Sequence, residues 1–193
     1  MKKNVTIIGG GFSSWLAASV FSNNDYTIDI FAGKNQSFGS QQISPNGWMA
    51  LSKLIGLKDI QTYFEPFYNI HIKKINSNNN VEILYHHNLL KQHHKYGSIE
   101  RKSIINLFKN HALQKNTIKI HNSNVTNIIS NNNYNEFIDD RRKTYKAKLM
   151  IGSDGVNGIS RKFIVGSNNN IKKKKIFRSV SFKDSAYNLS KTI

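Results

Sequence analysis

VTIIGGGFSS, at residues 5–14, decides the fold, because its three glycines follow an apolar run and precede the helix-like run WLAASVF at 15–21. The alternating run TIDIF at 27–31 predicts a second strand. Strand, glycine turn, helix and strand form a βαβ unit, which requires a parallel sheet and a right-handed crossover. Glycines in such a turn let the backbone approach a phosphate at the helix N-terminus.

The βαβ unit departs from the dinucleotide fingerprint at two positions, one in the glycine turn and one at the end of strand two. Gly9 permits the tight turn and Gly11 the close approach to phosphate, but Ser14 stands where a third glycine normally packs the helix against its strand. Its Cβ and hydroxyl predict a helix slightly farther from that strand. The acid that accepts ribose hydroxyls at the end of strand two is replaced by Ala32, and Asp29 lies upstream on the opposite face. A plain βα turn that binds nothing therefore stays an alternative.

Local patterns predict the remaining elements. Ser44-Pro45-Asn46 begins a helix that Gly56 ends, Arg101 opens another, and a short one spans 157–165. Short strands are predicted at 67–85, 117–120, 125–130, 135–138, 144–151 and 176–182. The strands from 117 to 151 suggest antiparallel neighbours in a meander. The predicted fold class is α/β, with a parallel dinucleotide-binding sheet that carries helices on one face and a small antiparallel meander on the other.

A second glycine stretch, GSDGVNGISR at 152–161, is the most specific motif in the chain. Taken alone it predicts a turn in which Asn157 caps the following helix. Its order and spacing relative to residues 9–18, SPNGW at 44–48, ALSKLIGL at 50–57 and Arg101 are those of FAD-dependent monooxygenases. The chain resembles the FAD-binding half of the flavoprotein aromatic hydroxylases, a family that includes 4-hydroxybenzoate, salicylate and ubiquinone-biosynthesis hydroxylases.

The resemblance implies FAD as cofactor, NAD(P)H as reductant and hydroxylation of a small aromatic substrate or quinone precursor. It places cofactor contacts at Gly9, Gly11, Ser13, Ser14, Arg101, Val125, Asp154 and Gly155. Val125 would contact adenine through its backbone, and Asp154 the ribose region of FAD. Gly158 stands where the motif usually has a small polar residue. For Arg101, an ordinary surface residue at a helix start is the alternative, and the catalytic residues stay unknown.

The resemblance also divides the chain into domains. It implies an FAD-binding domain at 1–165, in which 62–97 are an inserted piece of the substrate-binding region, and the start of a truncated substrate domain at 166–193. It covers about the first half of such an enzyme, so a non-catalytic truncated or split fragment that needs a second polypeptide is the alternative function. Halogenases and isoprenoid reductases share this half and stay open.

Composition narrows the remaining classes. The formal net charge is +17 and the pI about 10.0, but KKKK at 172–175 has no interleaved aromatic residue to stack on a base. Specific nucleic-acid binding is therefore the weaker alternative. The chain has no cysteine, which excludes disulfides and thiolate catalysis. It also has no apolar run of about 18 residues, so we predict no transmembrane segment and a cytoplasmic protein.

Two histidine pairs are candidate metal ligands. His86-His87 and His93-His94 each place adjacent residues in an extended segment, so each pair presents one ligand per face. No nearby carboxylate completes a facial triad. We predict no metal site and interpret these histidines as loop residues beside the substrate region.

Overall fold

The computed structural model describes residues 3–33, 39–56, 60, 62–78, 80–88, 96–115 and 117–166. The helices are α1 (Phe12–Asn23), α2 (Pro45–Ile55), α3 (Arg101–Leu113) and α4 (Ile159–Val165). The first strands are β1 (Asn4–Ile8), β2 (Thr27–Phe31), β3 (Ser40–Ile43), β4 (Phe64–Pro66), β5 (Asn69–Ile75) and β6 (Val81–Asn88). The later strands are β7 (Gly97–Glu100), β8 (Ile118–His121), β9 (Val125–Ser130), β10 (Asn135–Asp139), β11 (Thr144–Ala147) and β12 (Met150–Gly152).

The predicted βαβ unit forms the centre of a parallel sheet with strand order β12-β1-β2-β8. Ile7 pairs with Ile151 on one side and with Ile30 on the other. Ile7 and Ile30 are fully buried. Strands covered on both faces are typically rich in β-branched apolar residues, as these are. The sequence-based prediction of a parallel sheet is therefore confirmed.

The sequence-based prediction gives two strands the wrong partners. The run 144–151 is two strands, of which β11 pairs antiparallel with β10 and β12 pairs parallel with β1. The strand predicted at 117–120 is β8, which joins the parallel sheet beside β2 instead of the meander. Alternation of apolar residues identifies a strand but carries no information about its partner, so the pattern could not separate these cases.

The two faces of the parallel sheet carry different layers, as predicted. On one face, α1, α2 and α3 bury an apolar cluster that includes Trp15, Trp48 and Phe108. The Ser19 hydroxyl donates to the Phe108 carbonyl at 3.0 Å and so joins α1 to α3. On the other face, the meander β9-β10-β11 buries a smaller cluster around Phe31. The predicted meander contained these three strands and also β8, which lies in the parallel sheet.

Helix α2 begins and ends where its sequence signals predict. The Ser44 hydroxyl accepts a hydrogen bond from Gly47 N–H at 3.3 Å, and Pro45 occupies the first turn. Gly56 follows the helix with φ of +83°, a left-handed conformation that favours glycine. The buried residues Trp48, Leu51 and Ile55 match the predicted apolar stripe.

A two-stranded hairpin, β5–β6, pairs with no other strand in the described part of the chain. It exposes apolar side chains, each at least 48% accessible: Ile72, Ile75, Val81, Ile83, Leu84 and Tyr85. His86 and His87 lie within β6, so their assignment to a loop is wrong, because both pair with residues of β5. The His93-His94 pair and the strand predicted at 176–182 lie outside the described residues.

Two further findings concern only the described ranges. None of their helices combines the length and apolar character needed to cross a bilayer. Within the same ranges, no three histidine or carboxylate side chains converge as metal ligands would.

Candidate functional site

A cleft of about 620 Å³ opens where β1, β2 and β12 end. Strand β1 has β2 on one side and β12, from the far end of the chain, on the other. Ligands of open α/β sheets bind where the strand order reverses in this way. Seven of the eight residues predicted to contact a cofactor line the cleft: Gly9, Gly11, Ser13, Arg101, Val125, Asp154 and Gly155. Further lining residues are Ile8, Gly10, Phe12, Phe31, Gly33, Gln41, Asn124, Ser153, Gly158 and Ile159. Two motifs that are distant in sequence thus form one site.

The glycine turn requires glycine at its first position. Gly9 has φ of +127°, and a Cβ there would collide with the Ser153 carbonyl and lie 2.7 Å from the Ser14 hydroxyl. Gly9 N–H donates to the Phe31 carbonyl at 2.9 Å, which holds the turn against the end of β2. Gly11, the residue before α1, is the N-cap and has an extended conformation, so no side chain caps the helix. The first N–H groups of a helix lack intrahelical acceptors, so this end of α1 can receive an anion.

Ser14 is the exception among the predicted contacts. It is fully buried beneath the turn, and it is absent from the cleft wall. Its hydroxyl lies 2.8 Å from the Ser153 hydroxyl, which in turn donates to the Ile8 carbonyl at 3.0 Å. Ser14 therefore fills the space beside Gly9 and connects the first motif to the second. Its contact with a cofactor stays a prediction.

Asp154 organises the second motif. Its carboxylate accepts hydrogen bonds from the Ser160 N–H at 3.1 Å and from the Ser160 hydroxyl, both in the first turn of α4. A carboxylate at a helix N-terminus is stabilised by the helix dipole. The prediction that Asn157 caps this helix is therefore wrong. A Cβ on Gly158 would collide with the Asp154 carboxylate, which explains the glycine where the motif usually has a polar residue.

Arg101 and Val125 close the cleft from two sides. Arg101 is the exposed first residue of α3, and its N–H donates to the Gly39 carbonyl at 2.9 Å. In the described part of the chain no carboxylate pairs with its guanidinium, so it contributes a positive charge to the cleft wall. Val125 is buried at the start of β9, beside the meander cluster.

Asp29 is absent from the cleft wall, although Phe31, two residues further along β2, lines it. Its carboxylate lies 2.8 Å from His121 Nε2 and accepts from Asn4 Nδ2 at 3.2 Å. Ala32 packs close to Gly10, where an added Cβ would lie 3.0 Å from the Ala32 Cβ. The end of β2 therefore offers no carboxylate to the cleft.

Ten residues of the cleft wall were not among the predicted contacts, and three of them show what the sequence could reveal. Ser153 lies inside the second motif, and Phe31 ends the predicted second strand, so both had a signal. Asn124 had none, because its position opposite Gly33 depends on how β9 packs against β2. A Cβ on Gly33 would collide with the Asn124 side chain.

Behind the cleft, a buried acid supports the aromatic cluster. Asp139 Oδ1 accepts the N–H groups of Arg141 and Lys143 at 3.0 and 2.9 Å, and Oδ2 accepts the Tyr145 hydroxyl at 3.2 Å. Burial alone raises the pKa of the Asp139 carboxyl, but these hydrogen bonds outweigh it and hold the pKa below its usual value. Burial and the bond to Asp139 raise the pKa of Tyr145. The Tyr145 ring packs edge-on against Phe31, 4.8 Å between centroids.

Asp139 makes the stability of the chain pH-dependent in acid. The folded state lowers the pKa of Asp139, so its contribution to the free energy of unfolding is complete above the ordinary Asp pKa of about 3.9. That contribution is lost as pH falls through the lower pKa of the folded state. We expect the urea midpoint of Asp139→Asn to lie below that of the wild type by a constant amount above about pH 5. The gap should narrow below about pH 4. The exposed Asp25→Asn serves as control, and an equal narrowing there would contradict the assignment.

Comparison with known proteins defines the fold class. No protein-family model matches the sequence, and no curated protein matches it significantly. The p-nitrophenol 4-monooxygenase PnpA from Pseudomonas putida DLL-E4 superimposes with a TM-score of 0.68 and 18% identity, over 84% of this chain and 43% of that one. Tetracycline destructase Tet(51) gives a TM-score of 0.63 and 16% identity, over 86% and 42%.

HpxO from Klebsiella pneumoniae, in a crystal structure with FAD and uric acid, gives a TM-score of 0.65 and 13% identity, over 83% of this chain and 41% of that one. At these identities the similarity establishes the fold: an α/β, Rossmann-like domain with a parallel sheet and an antiparallel meander. The chain spans about two fifths of the length of these structures.

Proposed function

We propose that this chain is the FAD-binding part of a flavoprotein monooxygenase. The observation that carries the proposal is the convergence of the Gly9–Gly11 turn, Arg101 and Asp154-Gly155 on one cleft at the carboxyl ends of parallel strands. The fold of FAD-bound HpxO and of PnpA supports it. The resemblance of the same motifs to the flavoprotein hydroxylases supports it independently.

The cleft has the features that a dinucleotide needs. Its volume of about 620 Å³ lies within the range of ligand sites. The uncapped start of α1, with Gly9 and Gly11 beside it, suits the diphosphate, and Arg101 adds a positive charge. The opposite end, between Gly33 and Val125, suits the adenosine.

The residues of this chain bind and orient the cofactor. FAD, when bound, supplies the redox and oxygen-activating chemistry of the reaction. The N–H groups of the glycine turn would hold the diphosphate, and Asp154 would keep α4 in place beside it through Ser160. We propose NAD(P)H as the reductant and a small aromatic compound, such as a quinone precursor, as the substrate. PnpA and HpxO, named with nitrophenol and uric acid, support that substrate class.

We propose that residues 1–165 form the FAD-binding domain and that 62–97 belong to the substrate-binding region. The exposed apolar side chains of β5–β6 support the second assignment, because in the described chain these two strands pair only with each other. Residues 166–193 would begin the substrate domain. The same observations favour a second candidate function, a cofactor-binding fragment that works only with a second polypeptide.

The test is FAD binding by the 193-residue chain, followed by quenching of flavin fluorescence. We expect micromolar binding, and about tenfold weaker binding by Arg101→Ala, because a charge-assisted hydrogen bond contributes about 1.5–3 kcal/mol. Lys102→Ala is the matched control, since Lys102 is an exposed neighbour outside the cleft wall. Its affinity should equal that of the wild type.

Salt distinguishes a specific site from the attraction of a strongly basic protein for any polyanion, which falls steeply between 50 and 200 mM salt. FAD affinity should change little over this range. No binding by the folded chain, or equal losses in both variants, would overturn the proposal. If FAD binds and NAD(P)H is not oxidised with any small phenol, the fragment function is favoured.

A further inference from the structure

The ribose end of the cleft lacks the carboxylate that dinucleotide sites normally supply. In the standard fingerprint an acid at the end of strand two accepts the ribose hydroxyls. Here that position is Ala32, and the Asp29 carboxylate contacts His121 and Asn4 and is absent from the cleft wall. A dinucleotide bound in this cleft needs another acceptor for its ribose.

Asn124 offers that acceptor. Its side chain lines the cleft and packs against Gly33, directly after the position of the missing acid. It is exposed, and therefore accessible to a ligand. It also precedes Val125, so the backbone expected to contact adenine and this side chain are adjacent.

Asp140 fixes the orientation of the Asn124 amide. Asp140 Oδ2 accepts both Asn124 N–H at 3.0 Å and Asn124 Nδ2 at 3.1 Å, and Asp140 N–H donates to the Asn124 carbonyl at 2.8 Å. A carboxylate can only accept, so the amide nitrogen must face Asp140. The remaining group, Oδ1, is an acceptor held beside Gly33 at the cleft wall.

We propose that Asn124 Oδ1 accepts a hydrogen bond from a ribose hydroxyl of the adenosine part of the cofactor, in place of an acid at position 32. This inference rests on the proposed function, because it requires a dinucleotide in the cleft. The closeness of Asn124 to Gly33 explains why the residue after Ala32 is a glycine.

The test measures ADP, 2′-deoxy-ADP and 3′-deoxy-ADP binding to the full chain by calorimetry. We expect the wild type to bind ADP about tenfold more tightly than at least one deoxy form. Asn124→Ala should lose this preference while binding the deoxy form as the wild type does. Asn127→Ala is the matched control, an exposed asparagine of β9 outside the cleft wall, and it should keep the preference.

The outcomes separate this inference from the function on which it rests. Suppose that the folded wild type binds ADP. If it does not prefer ADP over the deoxy forms, or if Asn124→Ala keeps that preference, the proposed role of Asn124 is wrong and the dinucleotide site stands. If the folded wild type binds neither ADP nor FAD, both fall. Equal weakening of all three ligands in Asn124→Ala would reveal a purely structural clamp to Asp140, and would also overturn the inference.

Discussion

Phe31→Ala is expected to destabilise the chain by about 3–5 kcal/mol, the range for removal of a buried aromatic side chain. Phe31 is 2% exposed. His121 stacks on it at 4.2 Å between ring centroids, and Phe137 and Tyr145 pack edge-on at 5.0 and 4.8 Å. The ring also lines the cleft and joins the parallel sheet to the meander. Its removal should therefore open a cavity where the two layers meet.

The urea midpoint, at unchanged slope, measures this loss. Phe163→Ala on α4 is the control, because its ring is 38% exposed and its removal should cost about 1 kcal/mol or less. The urea midpoint of Phe31→Leu should lie between those of the two alanine variants. Similar midpoints for the two alanine variants would mean that Phe31 does not hold the layers together.

Gly9→Ala is expected to cost about 2–6 kcal/mol and to abolish FAD binding. A residue with a Cβ at φ of +127° is strained by about 1–3 kcal/mol. Collision of the new methyl group with the Ser153 carbonyl adds an overpacking cost of about 1–3 kcal/mol. Relief of the collision would move the two motifs apart and widen the cleft between them.

Gly39→Ala isolates the backbone part of this cost. Gly39 has φ of +81° with nothing within 4 Å of its added Cβ, and it lies outside the cleft wall. Urea unfolding and FAD quenching on both variants should give the larger loss for Gly9→Ala, with binding retained by Gly39→Ala. Equal losses would show that the motifs are not in the close contact described.

The parts of the fold that could be predicted from the sequence are those governed by local chemistry. Alternation and β-branching identified β1 and β2, and Ser44, Pro45 and Gly56 marked the ends of α2. The joint cleft forms because a turn after β1 and a turn after β12 lie at the same edge of a parallel sheet, and the sequence did not predict this edge, since it placed 144–151 in the meander. The resemblance of the motifs identified seven of the seventeen residues that line this cleft.

What could not be predicted depends on contacts between distant segments. Thr144–Ala147 and Met150–Gly152 read as one run, although they belong to different sheets. The Ser14 side chain was expected to disturb helix packing, and its bond to Ser153 was not visible before both segments were placed. Asn124 carried no signal, since its role depends on Gly33 and Asp140.

The hydroxyl pair of Ser14 and Ser153 joins residues 139 positions apart, and this separation sets the order of events during synthesis. Until β12 leaves the ribosome, β1 is an open edge of the sheet and Gly9 has no opposing loop. At about 5–20 residues per second, the second motif is synthesised about 7–28 seconds after the first. The complete cleft therefore forms only after β12 has been synthesised, later than the segments of α1, α2 and α3.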